Sequence, residues 1–254
     1  MQRFKNIVYY ADGVLSPCSA LDRAVTLART NQARFTVLDV LPRAEPAAGL
    51  ESRFGMDLDA VLRERRQAQL EELVADHQEP DAVIYTQVLT GNGFLELIRS
   101  VLRGDHDLVI KAARPPEGVS ERLFGSTDTH LLRKCPCPVW IDRPAAATPY
   151  RSILAAVDSA TEEGADPARL VMDLATSLAE RESARIQVVH AWRLYGESML
   201  RSGRAHISAA EVDTLLEQSR TTHRDKLAAL LRGYGMGVDD PNVHLVKGEP
   251  ARRT

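Results

Sequence analysis

Short apolar runs alternate with longer amphipathic stretches along most of the chain. The first run, Ile7-Val8-Tyr9-Tyr10, is followed two residues later by Asp12. Leu21, Ala24, Val25 and Ala28 then recur at three- and four-residue spacing, which predicts a helix with one buried face. A strand is expected over residues 35–41, a charged helix over 57–76 and a strand near 83–89. Phe94, Leu97, Ile98, Val101 and Leu102 mark another helix. The strand Leu108-Val109-Ile110, a helix starting near Ser126 and the strand Val139-Trp140-Ile141 follow. Strands that are apolar throughout are covered on both faces. The β-α alternation therefore predicts an α/β fold with a doubly wound parallel sheet.

The pattern then starts again. Tyr150-Arg151-Ser152 followed by Ile153-Leu154-Ala155-Ala156-Val157-Asp158 repeats the order of Phe4-Lys5-Asn6 followed by Ile7 to Asp12. Each copy has an aromatic, a basic residue, a polar residue, an apolar run and an Asp. Leu170, Val171, Leu174, Ala175 and Leu178 repeat the helical spacing, and a strand is expected over residues 186–191. A long helix over 208–231 and a strand over 243–246 lead to Gly248-Glu249-Pro250. Counterparts of residues 93–142 are missing, so the second copy is expected to lack its last two strands. The expected domains are 1–142, complete, and 150–254, truncated, with the Pro- and Ala-rich stretch 143–149 as a linker.

Composition narrows the class. The 254 residues suit one large domain or two smaller ones. Hydrophobic residues make up 44% and charged residues 26%, ordinary values for a globular protein. Lys plus Arg is 32 and Asp plus Glu is 35, which leaves no basic field for nucleic acid or an anionic membrane. No apolar run reaches membrane-spanning length, and residues 1–11 lack a signal-peptide pattern. Three cysteines, Cys18, Cys135 and Cys137, fit a reducing compartment, so a cytoplasmic protein is expected.

The combination resembles the universal stress protein family, specifically its tandem two-domain members. It rests on Asp12 and Asp158 closing the first strand of each copy, and on Gly91 and Gly248 after each third strand. It rests also on Leu123-Phe124-Gly125-Ser126 opening a helix and on Cys137-Pro138-Val139 before the last strand. The resemblance implies two Rossmann-like domains of strand order 3-2-1-4-5, paired along their fifth strands. It would set Asp12 or Asp158 near the adenosine of a nucleotide, with Val40 and Ala191 lining the base. ATP-binding members carry Gly-x-x-Gly, nine residues, then Gly-Ser or Gly-Thr. Here the spacing persists with Ala112 and Pro115 in place of the first two glycines, while Gly125-Ser126 remains. Alanine resists positive φ, and proline fixes φ and removes an N–H donor. ATP binding by the first half is therefore doubtful. Gly118 leaves weak anion binding open, and the second copy has no phosphate loop in this chain.

Other motifs point elsewhere only weakly. Gly91-Asn92-Gly93 is followed by Glu96 where a dinucleotide fingerprint needs its third glycine. Gly118-Val119-Ser120-Glu121-Arg122 lacks the second glycine of a nucleophile elbow. No Walker lysine motif and no HExxH helix is present. Cys135-Pro136-Cys137 lacks zinc-site spacing and reads as a buried structural element. Arg63-Glu64-Arg65-Arg66 reads as a solvated helix face, and Trp192, Tyr195 and Met199 as packing under a loop. Asp12 and Asp158 serve either a ligand or a turn. Ser126 is read as a helix cap in preference to a phosphate contact.

These readings converge on a non-enzymatic protein of the cytoplasmic stress response that senses a ligand or binds a partner. A nucleotide-binding enzyme such as a slow ATP hydrolase is the alternative, and a pure scaffold is a third class. No metal is expected. A homodimer, or a partner pairing with a strand edge, is expected, because the truncation leaves residues 153–157 as an apolar sheet edge.

Overall fold

The computed structural model describes residues 4–43, 57–80, 82–114, 126–143, 149–158, 162–202 and 207–249. The chain divides into two compact units, residues 1–146 and 147–254.

The first unit runs β1 (Asn6–Tyr10), α1 (Ser19–Asn31), β2 (Arg34–Leu41), α2 (Leu58–Ala75) and β3 (Ile84–Thr90). It continues with α3 (Gly93–Gly104), β4 (Leu108–Ala112), α4 (Ser126–Lys134) and β5 (Val139–Asp142). All five strands are parallel, in the order β3-β2-β1-β4-β5. The strands are apolar on both sides because each side meets a helical layer. Ile7 and Tyr9 of β1 pack with Leu21 and Val25 of α1 and Leu70 of α2. Val8 and Tyr10, pointing the other way, pack with Leu97 of α3 and Leu131 of α4. Side chains cap the starts of α2 and α3. Asp57 accepts from Ala60 N at 3.1 Å, and Asn92 accepts from Leu95 N at 3.2 Å.

The second unit runs β6 (Ser152–Ala156), α5 (Glu162–Glu182), β7 (Arg185–Trp192), α6 (Glu197–Arg201), α7 (Ala209–Arg232) and β8 (Val243–Lys247). Its sheet is parallel with the order β6-β7-β8. Ser208 and Glu211 form a reciprocal capping box at the start of α7. One face of the sheet is covered: Ala155, Val157 and Val188 pack with Met172 of α5 and Leu227 of α7. The other face of β6 is open. Leu154 is 54% exposed, whereas Val8, at the matching position of β1, is fully buried.

Backbone hydrogen bonds of the first unit recur in the second. Ala11 N donates to Leu38 O at 2.9 Å, and Val157 N donates to Val189 O at 3.0 Å. Gly91 N donates to Leu41 O at 2.8 Å, and Gly248 N donates to Trp192 O at 2.9 Å. The turns after α1 and α5 both pass through a left-handed residue, Gln32 (φ 50°) and Ser183 (φ 53°).

Two expectations need correction. Trp192 is buried, but Tyr195, ahead of the short α6, is 88% exposed, and Met199, within it, is 58% exposed. Cys135 and Cys137 are both partly exposed rather than buried.

Candidate functional site

The carboxyl ends of β1, β2 and β4 of the first unit surround a cleft of about 570 Å³. At its floor β1 ends and the chain turns sharply, with Val14 N donating to Ala11 O at 2.9 Å. The turn needs positive φ at Asp12 (49°) and Gly13 (78°). Aspartate tolerates that conformation better than most residues, and glycine adopts it freely. Asp12 therefore fills a turn role, but its carboxylate is also engaged.

Because β4 lies beside β1, it brings two cations to Asp12. Lys111 is fully buried with its Nζ 3.3 Å from Asp12 Oδ2. The same ammonium bonds Asp128 Oδ1 in the first turn of α4, and Asp128 is itself buried. Arg114 Nε lies 3.0 Å from Asp12 Oδ2, and its Nη2 donates to the Asp12 carbonyl. A buried ammonium is tolerated only when paired and hydrogen-bonded, and here two carboxylates hold it.

A second buried carboxylate lies on β2. Asp39 is fully buried, accepts from Gly13 N at 3.0 Å, and pairs with Arg66 of α2. Arg66 and Arg114, with Thr127 and His130 of α4, present polar and basic groups to the cleft. His130 also meets the Phe94 ring edge-on, centroids 5.5 Å apart. The Tyr10 phenol lines the floor. Burial pushes its pKa far up, and the nearby Asp12 carboxylate adds to that. Gly93 is required by this phenol, since a Cβ there would come within 2.5 Å of Tyr10 Oη.

Of the residues singled out in the sequence, Asp12, Val40 and Gly91 line this cleft together. Gly125 lies outside the described residues, as do Pro115 and Gly118. Ser126 is the first residue of α4. Asp158, Ala191 and Gly248 belong to the second unit, at the ends of β6, β7 and β8. Asp158 is exposed. The aligned position of Asp39 is taken there by His190, which is fully buried. His190 Nδ1 lies 2.9 Å from the Val157 carbonyl, so Nδ1 carries the proton and donates. Its Nε2 lies 2.8 Å from His223 Nδ1 of α7. His223 is shifted below the usual histidine value by burial and then by the neighbouring His190.

Sequence reasoning missed Lys111, Asp128, Arg114, the Asp39–Arg66 pair and the His190–His223 pair. A signal existed for two of them. Lys111 and Asp39 are charges inside otherwise apolar strands, Leu-Val-Ile-Lys-Ala and Val-Leu-Asp-Val-Leu. A charge buried in a strand needs a partner, which marks it for attention. Among the described residues, no group of three or more His, Cys, Asp or Glu is arranged to hold a metal. Nor is any described helix long and apolar enough to cross a membrane.

Comparison with known proteins agrees with this architecture. The family model of the universal stress protein family matches residues 3–143. Universal stress protein E of Salmonella typhi is 26% identical over 255 residues, covering 98% of this chain and 79% of the relative. Universal stress protein E of Photorhabdus laumondii is 27% identical over 168 residues, covering 64% of this chain and 53% of the relative. This match thus spans about half the length of the Photorhabdus relative. Among solved structures, a protein of unknown function from Pseudomonas aeruginosa PAO1 shares the fold. It has a TM-score of 0.62 and 20% identity, covering 98% of this chain and 75% of that one. With more than half of its residues matched by the family model, the chain belongs to the universal stress protein family.

Proposed function

We propose that this chain is a tandem member of its family that acts in the cytoplasmic stress response by sensing a ligand or binding a partner, without catalysis. Residues 1–142 are read as one complete domain and 150–254 as a second that carries only the first three strands. The recurring hydrogen bonds at Ala11 and Val157, and at Gly91 and Gly248, support that division. The chain is further read as a homodimer formed along β5.

The first cleft is read as closed to ATP but suited to a smaller anion. The observation that carries this reading is the state of Asp12. Lys111 and Arg114 both lie against Oδ2 of its carboxylate, so a nucleotide would have to compete with two cations for that oxygen. The substitution of Ala112 at the end of β4 works in the same direction, because a Cβ there opposes the close approach of a phosphate. Arg66 and Arg114 bring guanidinium groups to the cleft, and His130 adds a ring nitrogen.

Native mass spectrometry of the full chain, with and without ATP and magnesium, tests the reading. The expected result is a dimer mass with no retained nucleotide. Retained ATP that is lost in Asp12→Asn would overturn the view of the first cleft. ATP lost instead in Asp158→Ala would place nucleotide chemistry in the second unit and revive the hydrolase alternative.

A further inference from the structure

Cys135 closes the C-terminal end of α4, where its N–H donates to Leu131 O at 2.9 Å. Cys137 leads into β5 two residues later. Pro136 between them restricts the backbone and is itself exposed. The two sulfurs lie 3.7 Å apart, within sulfur hydrogen-bond reach. Both residues are partly open to solvent, and they pack at the edge of the core beside Val101 and Val109. A structural role for the pair explains their packing but not why two thiols face each other at an accessible site. Cys18, the third cysteine, bonds the Tyr9 hydroxyl at 3.2 Å.

We propose that Cys135 and Cys137 form a reversible dithiol–disulfide site in which Cys135 is oxidised by a hydroperoxide and Cys137 resolves the product. The sulfurs need to move from 3.7 Å to about 2 Å, a displacement that side-chain rotation in a two-residue step can supply. Either sulfur can donate in their contact; with the Cys137 S–H as donor, that bond and the Cys137 backbone N–H both lower the Cys135 pKa, which makes Cys135 the attacking thiol. Both donations favour the Cys135 thiolate, and the same contact pushes the Cys137 thiol up.

The chemistry balances with the hydroperoxide as the only oxidant. The Cys135 thiolate attacks the terminal oxygen; the S–O bond forms, the O–O bond breaks and the alkoxide leaves as an alcohol. Cys135 is then a sulfenic acid. The Cys137 sulfur attacks it; the S–S bond forms, the S–O bond breaks, and hydroxide leaves with the Cys137 proton as water. Two thiols and one hydroperoxide thus yield a disulfide, an alcohol and water. An external thiol reverses the step by exchange.

The test is to treat the reduced full chain with hydrogen peroxide, alkylate it, and map the peptides by mass. The peptide that holds both cysteines is expected to lose the mass of two hydrogens and to escape alkylation. Dithiothreitol should restore both thiols, and Cys18 should alkylate throughout. In Cys137→Ser a dimedone adduct is expected on Cys135, and in Cys135→Ser no internal disulfide should form. The wild-type measurement needs no variant to fold. Full alkylation of both thiols after peroxide would overturn the proposal, as would a crosslink that forms only between chains. A dimedone adduct on Cys137 in Cys135→Ser, with none on Cys135 in Cys137→Ser, would overturn the assignment of roles.

Discussion

Lys111 shows how one residue can decide what a cleft is for. Its ammonium is out of contact with water and is held by Asp12 and Asp128, with Arg114 supplying the second positive charge. Removing one partner from such a group leaves uncompensated charge in a low-dielectric place, which typically costs about 3–5 kcal/mol. Lys111→Met keeps the length and volume but leaves Asp12 and Asp128 without the cation between them. The expected loss is of that size, read as a fall of roughly 10 °C in Tm or as the corresponding shift in a urea midpoint. Adding Asp128→Leu to the same chain removes the second stranded charge, so most of the loss should be recovered. A double variant no more stable than the single one would show that the carboxylates are not the source of the cost. This residue also marks the limit of reading the sequence. The break it makes in an apolar strand is visible there, but one partner, Asp12, follows β1, far away in the chain. Only the sheet order brings Asp12 beside β4.

Elements carry the same lesson in the comparison between β2 and β7. Their backbones are aligned residue for residue, with Ala11 N bonded to Leu38 O in one and Val157 N to Val189 O in the other. The helices that follow, α2 and α7, both send a side chain down to the strand. In the first unit the contact is Arg66 to Asp39; in the second it is His223 to His190. The alternating pattern of apolar strands and amphipathic helices made these elements readable, since two-sided burial leaves a strong signal. The pairing did not show, because a side chain's partner across a layer depends on where a helix sits over the sheet. The substitution has a consequence for pH. His223 is shifted down by burial and then by His190, and His106 is shifted down first by burial. An unfolded histidine titrates at about 6.5, so below that pH the unfolded chain binds protons that the native chain resists. Stability is therefore full above that value and falls as pH drops toward the lower native values. Urea midpoints at neutral pH and near pH 5.5 should show the native chain losing stability on acidification. His223→Gln can still donate to His190 and should shrink that loss; His106 will keep part of it. An unchanged slope in the variant would remove His223 from this account.

At the scale of the whole molecule, the order β3-β2-β1-β4-β5 leaves β5 as an edge. Val109 N donates to Pro138 O and Ala113 N donates to Asp142 O, so residues 138, 140 and 142 turn their polar groups toward β4. The N–H and C=O groups of Val139 and Ile141 then point away from the sheet. An edge of this kind is a template for another strand unless something covers it. A dimer along β5 uses those outward groups, and the partly exposed Val139, Trp140 and Ile141 supply apolar area beside them. Ile141→Pro removes one outward N–H while leaving every bond to β4 in place, a change that edge strands tolerate. If β5 pairs between copies, light scattering should give twice the 28.0 kDa chain mass for the native protein and a single-chain mass for the variant. Far-UV circular dichroism and the melting curve should stay close to native, because the proline touches no bond inside the unit. A variant that remains dimeric would shift attention to the second unit, where Leu154 lies exposed on the open face of β6. Leu154→Lys would then be the variant that separates the copies, since a charge on an open sheet face blocks apolar association without disturbing the covered one.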